Sequence, residues 1–256
     1  MNRSSPAALS NPARLSTLSA LFALPVVSAE LESSSLDMPF TLQRCETELL
    51  TAREWDSIRH CAERRIFDFC SGRLCAHRAL AEFGVSGFDL LAADDRQPLW
   101  PPGLIGSISH TDGLAVAVVA ERRAAAGVGV DVERIGAVHG QLWPPICTGP
   151  ELERLRSLSA EEQPLAGALT FVAKEAFFKC QYPLAAERFA FDEVELEHMA
   201  RSQDAGEFCL LVRRASRLDH YLPRQAQRRI SGRFTRRGPY LIGAVALPSV
   251  SERSAI

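Results

Sequence analysis

Apolar residues recur at helical spacing from Trp55 through Ile58, Ala62, Ile66, Phe69 and Leu80 to Phe83, which predicts one long helix. Thr51-Ala52-Arg53-Glu54 has the form of a capping box at its start, and Gly84 is its stop. A second box, Ser159-Ala160-Glu161-Glu162, opens a helix that runs through "FVAKEAFFKC" (171 to 180). Between the two helices the period changes. "FDLL" (88 to 91) reads as a short strand, and "RQPLWPPG" (96 to 103) as a loop held by proline rather than by hydrogen bonds. "GSISH", "GLAVAVVA" and "GVGVDVERI" make residues 105 to 133 an antiparallel pair with His110 in a Gly/Ser turn. Strand patterns return at 189 to 197, 207 to 213, 227 to 234 and 239 to 247. Two successive blocks, each a long helix with a small antiparallel sheet, predict an α+β pseudo-duplicate.

Residues 1–17 read as a disordered Ser/Ala/Pro leader, 18–130 and 131–250 as two subdomains, and 251–256 as a tail. The run "RLSTLSALFALPVVSAE" (14 to 30) ends in a Val27-Ser28-Ala29 sequence that imitates a signal cleavage site, but serines and Pro25 interrupt its apolar stretch. No stretch approaches the ~20 apolar residues of a membrane span. With 46% hydrophobic residues in a chain of 256, there is enough material for a buried core. The formal charge of −2 argues against general nucleic-acid binding. Seven cysteines, an odd number without a C-x-x-C pair, fit reduced thiols of a cytoplasmic protein.

Candidate chemistry begins at Asp131 and Glu133, which strand alternation places on one face with Val130 and Val132 on the other. Two carboxylates so placed either point into water or share a cation. For a bare D-x-E, water is the simpler account. Glu175 and Lys179, with Phe171, share a face of the second helix and add a third carboxylate and an ammonium. Three oxygen donors near a lysine suit Mg²⁺ better than zinc. On the first helix Arg65 and Arg73, two turns apart, offer bidentate phosphate clamps, with Arg78 a further basic candidate. Lys174 points to a different helix face and is secondary.

The ordered set "RRIFDFCSGRLCAHRAL", "RQPLWPPGLIGSISH", "GVDVE" and "FVAKEAFFKCQYPL" resembles the 4′-phosphopantetheinyl transferases of the surfactin/enterobactin-synthetase type, over about residues 18 to 248. The resemblance implies that family's fold, coenzyme A as co-substrate and Mg²⁺ as cofactor. It also implies transfer of phosphopantetheine to a serine of apo carrier domains in siderophore, nonribosomal peptide or polyketide synthesis, by a cytoplasmic monomer. Carried over, Asp131, Glu133 and Glu175 would hold Mg²⁺, and Glu175 or a water it orients would be the base. Lys179 would neutralise phosphate charge, and Ser109 and His110 of "SISH" would contact the pyrophosphate region. Arg65 and Arg73 would grip the 3′-phosphate, with Arg96 near the nucleotide. Phe171 stands where many relatives have Trp. A non-catalytic carrier-binding homologue and another Mg²⁺-dependent phosphate enzyme are the alternatives, but no carboxylate or lysine of the set is missing and no GxxxxGK[ST] loop is present.

Overall fold

A computed structural model describes residues 13–32, 41–201, 204–214, 217–220 and 228–249. Its strands are β1 (Arg14–Leu15), β2 (Val27–Glu32), β3 (Leu104–Thr111), β4 (Leu114–Glu121), β5 (Ala125–Arg134), β6 (Val194–Arg201), β7 (Ala205–Val212), β8 (Arg229–Arg237) and β9 (Tyr240–Pro248). Its α-helices are α1 (Leu42–Arg44), α2 (Ala52–Ile58), α3 (Glu63–Ala81), α4 (Trp143–Ile146), α5 (Gly149–Ser157) and α6 (Gln163–Ala185). All strand pairings are antiparallel, in a four-stranded sheet of order β1-β2-β4-β3 and a five-stranded sheet of order β5-β9-β8-β7-β6. The α+β expectation holds.

Helix and sheet layers follow from which faces are apolar. β4 is buried on both faces, which is why its sequence is a continuous apolar run instead of an alternation. Ala115, Ala117 and Val119 join the core under α3 with Ile66, Leu74 and Leu80. Val116, Val118 and Ala120 face the other way, against Val128, Val130 and Val132 of β5 and Ile242 and Ala244 of β9. The far face of the second sheet packs on α6 through Val172, Ala173, Phe177, Leu241 and Val245. The result is α3, first sheet, second sheet, α6.

β5 approaches α6 closely because two glycines lie beneath it. A Cβ on Gly129 would overlap the Ala176 carbonyl and come within 2.7 Å of the Cys180 nitrogen, and one on Gly127 would strike the Cys180 carbonyl. The glycines that precede the acids therefore admit the helix against the strand. On its free edge β5 meets β3 without a backbone ladder. Ser107 Oγ accepts from the Val130 N–H at 3.2 Å, and Ser109 Oγ accepts from the Val132 N–H at 3.2 Å. Serine hydroxyls thus satisfy edge groups that a strand would otherwise pair.

Several expectations need correction. The first helix is two: after Ile58 the chain turns and restarts at Glu63, because residues 59–65 are all exposed and the buried stripe that would hold helical phase lapses there. Thr51–Glu54 is a true capping box for α2, whereas Ser159 and Glu162 bond within a turn before α6. The reciprocal second box is Thr148–Glu151, at α5. "FDLL" forms no strand. The 91–100 loop is held by hydrogen bonds, including Leu99 N–H to the Leu91 carbonyl and Ala93 N–H to the Gln97 carbonyl. β3 pairs with β4, and β5 belongs to the other sheet, so the sheets divide between Glu121 and Ala125 and not at residue 130. Ser109 and His110 lie within β3, not in a turn. Of the expected leader, residues 1–12 lie outside the described residues, while Arg14–Leu15 pairs with β2 and buried Glu30 accepts from Ser16 and pairs with Arg14 and Arg237. The expected tail also lies outside the described residues.

Candidate active site

A cleft of about 1560 Å³ opens where α3, the 91–100 loop, β3 and α6 meet. Five of the sequence-derived candidates line it: Arg65 and Arg73 from α3, Arg96 from the loop, His110 from β3 and Lys179 from α6. Arg53, Arg122 and Arg188 add to them, against Asp56, Asp68, Asp94 and Asp95. These seven arginine and lysine positions, with a low-dielectric floor of Phe69, Trp100 and Ile108, make a wall suited to a polyanion. Arg122 and Arg188 lie outside the motifs read from the sequence, and Arg53 appears there only within the Thr51–Glu54 capping box.

The cations differ in freedom. Arg65 is exposed and has no ion-pair partner within 4 Å among the described residues. Arg73 is buried, donates from Nε to the Leu90 carbonyl at 2.6 Å and lies 4.2 Å over the Phe69 ring. Burial lowers its ordinarily high pKa to about 10, with Glu54 opposing. Arg96 is exposed and held in the left-handed region at φ 72°. Arg78 is turned to Glu82 at 2.8 Å and takes no part in the cleft. His110 Nδ1 lies 3.8 Å from Asp68, and burial lowers its pKa against the pull of Asp68, with Lys179 and Arg65 adding to the lowering.

Behind the cleft is the acidic seam. Lys179 Nζ donates to Asp131 Oδ1 at 2.6 Å, and Ser109 Oγ donates to the same oxygen at 2.7 Å. Asp131 is buried, and its Oδ2 has no hydrogen-bond partner. Ser109 was expected to touch coenzyme A, but its hydroxyl is spent on Asp131 and the Val132 N–H. It positions the acid. Glu133 Oε1 accepts from Thr111 Oγ1 at 3.0 Å and from the Arg134 N–H at 2.7 Å. Glu175 is half-buried, and desolvation raises its pKa, with Asp131 adding and Lys179 opposing. It lines a smaller hollow of about 230 Å³ with Phe177, Phe189 and Phe191, and Phe178 and Arg188 border both cavities.

Lys174, one residue before Glu175, has a different task. Its ammonium is buried and donates to Glu151 at 2.7 Å and to the Ile146 and Phe191 carbonyls, each at 2.8 Å. Glu151 in turn accepts from the Leu196 and Thr148 N–H groups. Phe171 stacks on Phe191 at 5.9 Å between centroids, so it packs the floor behind the seam.

Among the described residues no three His, Cys, Asp or Glu side chains converge to hold a metal ion. The donor set still fits Mg²⁺, which is commonly held by one or two carboxylates with substrate phosphates and water completing the shell. The orphaned Asp131 Oδ2 is a hard, buried, anionic oxygen without a partner, and Glu175 is near enough to feel its charge.

Residues 53–120 match the 4'-phosphopantetheinyl transferase N-terminal domain, and residues 127–232 match the 4'-phosphopantetheinyl transferase superfamily. The chain is 34% identical over 161 residues to 4'-phosphopantetheinyl transferase Svp of Streptomyces mobaraensis, covering 62% of this chain and 64% of that one. It is 40% identical over 136 residues to enterobactin synthase component D of Salmonella typhi, covering 52% and 56%. It is 32% identical over 134 residues to 4'-phosphopantetheinyl transferase Npt of Nocardia iowensis, covering 52% and 60%. In each case the match spans less than two thirds of the relative's length.

Proposed function

Because this chain belongs to the 4'-phosphopantetheinyl transferase superfamily, we propose that it moves the phosphopantetheine arm of coenzyme A onto a serine of apo carrier domains, releasing 3′,5′-ADP. The observation that carries this reading is the convergence of Arg65, Arg73, Arg96, His110 and Lys179 on one cleft, with Lys179 tied to Asp131 at its back. The carriers are those of siderophore, nonribosomal peptide or polyketide synthesis. The setting is the cytoplasm, where coenzyme A is available; among the described residues no helix is long and apolar enough to cross a membrane. The enzyme acts as a monomer and binds no nucleic acid.

The roles follow from environment. Arg65 and Arg73 grip the 3′-phosphate, and Arg96 lies at the nucleotide. His110, with its pKa lowered by burial, is neutral near pH 7 and donates one N–H to the pyrophosphate. Asp131, Glu133 and Glu175 would hold Mg²⁺, which when bound supplies charge neutralisation on the phosphoanhydride. Glu175, raised by desolvation, is matched to accept the proton of the carrier serine directly or through a water. Lys179 can exchange its bond to Asp131 for a phosphate oxygen as negative charge develops. The serine reaches Glu175 from the smaller hollow while the nucleotide fills the larger one, so attacking and leaving groups arrive from opposite sides of Phe178.

The test is purified protein with Mg²⁺, coenzyme A and a panel of apo carrier domains, read by intact mass. One serine on at least one carrier should gain the mass of phosphopantetheine. No gain on any carrier refutes the proposal.

A further inference from the structure

Glu54 and His77 lie outside the cleft chemistry, yet Glu54 is the most fully committed carboxylate in the first half. It is completely buried. Its Oε2 accepts from the Thr51 N–H at 2.9 Å, closing the cap of α2, while its Oε1 accepts from the Leu90 N–H at 3.1 Å. His77 Nε2, from α3, lies 2.9 and 3.2 Å from the two oxygens. Leu90 is itself buried and belongs to no strand. Its carbonyl is gripped from the other side by Arg73 Nε at 2.6 Å. One residue therefore has its N–H held from α2 and its C=O held by α3. The residues that follow it, Leu91 to Trp100, form a wall of the cleft.

Arg73 has five N–H donors in a rigid fork. With Nε fixed to Leu90 and the guanidinium plane set 4.2 Å over Phe69, the Nη groups are what it can offer the cleft it lines. We propose that Glu54 is a positioning residue for phosphate recognition: its carboxylate fixes the Leu90 peptide, and that peptide aims the guanidinium of Arg73. This rests on reading the cleft as the coenzyme A site. A carboxylate is needed because two N–H groups must be accepted by two oxygens at once. Glutamine has the same size but one oxygen, so its NH₂ would face either the Thr51 or the Leu90 N–H, donor against donor.

Calorimetric binding of 3′,5′-ADP and of 5′-AMP to the full chain separates aim from fold, because only the first carries the phosphate that Arg73 reads. The wild type should prefer 3′,5′-ADP. Glu54→Gln should cut that preference about tenfold, the scale of one hydrogen bond to a charged group, and leave 5′-AMP binding unchanged. Arg73→Gln should cut it as far, and the double variant no further, since the two act in series. The inference is overturned if Glu54→Gln keeps the wild-type preference, if it weakens both ligands equally, or if the wild type shows no preference. Should Glu54→Gln fail to fold, His77→Gln takes its place. That variant removes a partner of Glu54 where the ring is 19% exposed, and an unchanged preference in it overturns the inference equally. Binding is independent of transfer, so an absent mass gain on carriers with an intact Glu54 effect would refute the transferase reading alone.

Discussion

Replacing Gly129 with alanine should separate α6 from β5 and take the site apart at its seam. The added Cβ would overlap the Ala176 carbonyl and lie 2.7 Å from the Cys180 nitrogen and 2.9 Å from the Cys180 Cβ. Two of these three obstacles are main-chain atoms inside a 23-residue helix, so they cannot swing aside as a side-chain tip would. Overpacking of a core costs ~1–3 kcal/mol, and a main-chain clash belongs at the upper end, about 3 kcal/mol. At roughly 2–4 °C per kcal/mol for a chain of this size, the melting temperature should fall by about 6–12 °C. Relief by moving the helix lengthens the 2.6 Å bond between Lys179 and Asp131, so transfer should fall further than the unfolded fraction explains. The control is Gly149→Ala, whose Cβ meets nothing within 4 Å and which stands at the first turn of α5. It should melt within about 2 °C of the wild type. Scanning calorimetry and the carrier mass assay check both variants. If Gly129→Ala melts and transfers like the control, the close approach of helix and strand is not what holds the acids in place.

Glu175 sets a pH dependence. Its carboxyl is raised above the ordinary 4.5 by desolvation first and by Asp131 second, so the folded chain holds that proton more tightly than the unfolded chain. The corresponding stability is complete below about pH 4.5 and is lost as pH rises through the folded-state value. Glu175→Gln should therefore match the wild type in urea unfolding near pH 4 and exceed it near pH 7.5, while losing transfer; lower stability at neutral pH would contradict the raised carboxyl. The two lysines of α6 should separate cleanly. Lys174→Met leaves the fully buried Glu151 uncompensated and should cost about 3–5 kcal/mol. Lys179→Met, at a side chain 27% exposed, leaves buried Asp131 with the Ser109 hydroxyl and should cost less than Lys174→Met while abolishing transfer. Equal destabilisation of the two would undo the distinction between support and chemistry.

Local signals were the ones legible in the sequence. Helix periodicity and the Thr51 capping box depend on residues three or four apart, and both helical regions lie where those patterns place them. The last four strands likewise overlap their apolar runs. Phase over a longer range was not legible. Ala62 keeps helical spacing from Ile58, yet it is exposed and extended, because whether an apolar residue is buried there depends on where α3 docks. The assignment of β5 to the second sheet depends on β9, more than a hundred residues later, and nothing near residue 125 announces it. Among candidate site residues, Arg65, Arg73, Arg96, His110 and Lys179 do meet in one cleft. The bridging part played by Ser109 was not legible because a serine on a strand gives no sign of which edge it faces; only the neighbouring β5 makes its hydroxyl a bridge. Glu54 was visible solely as a cap. Its second oxygen, bound to Leu90, is a contact 36 residues away.

The edge position of β5 also fixes when in the life of the polypeptide the acids come into place. Among the described residues its ladder partner is β9 alone, and Asp131 sits opposite Gly243. As the chain emerges from a ribosome, α3, β3, β4 and even α6 are complete while β5, which carries Asp131 and Glu133, still lacks its ladder partner. The first half can close around its own core before then. Assembly of the acidic seam thus waits for β9, and a chain cut before Tyr240 would carry every residue of the proposed site without the strand that pairs with β5.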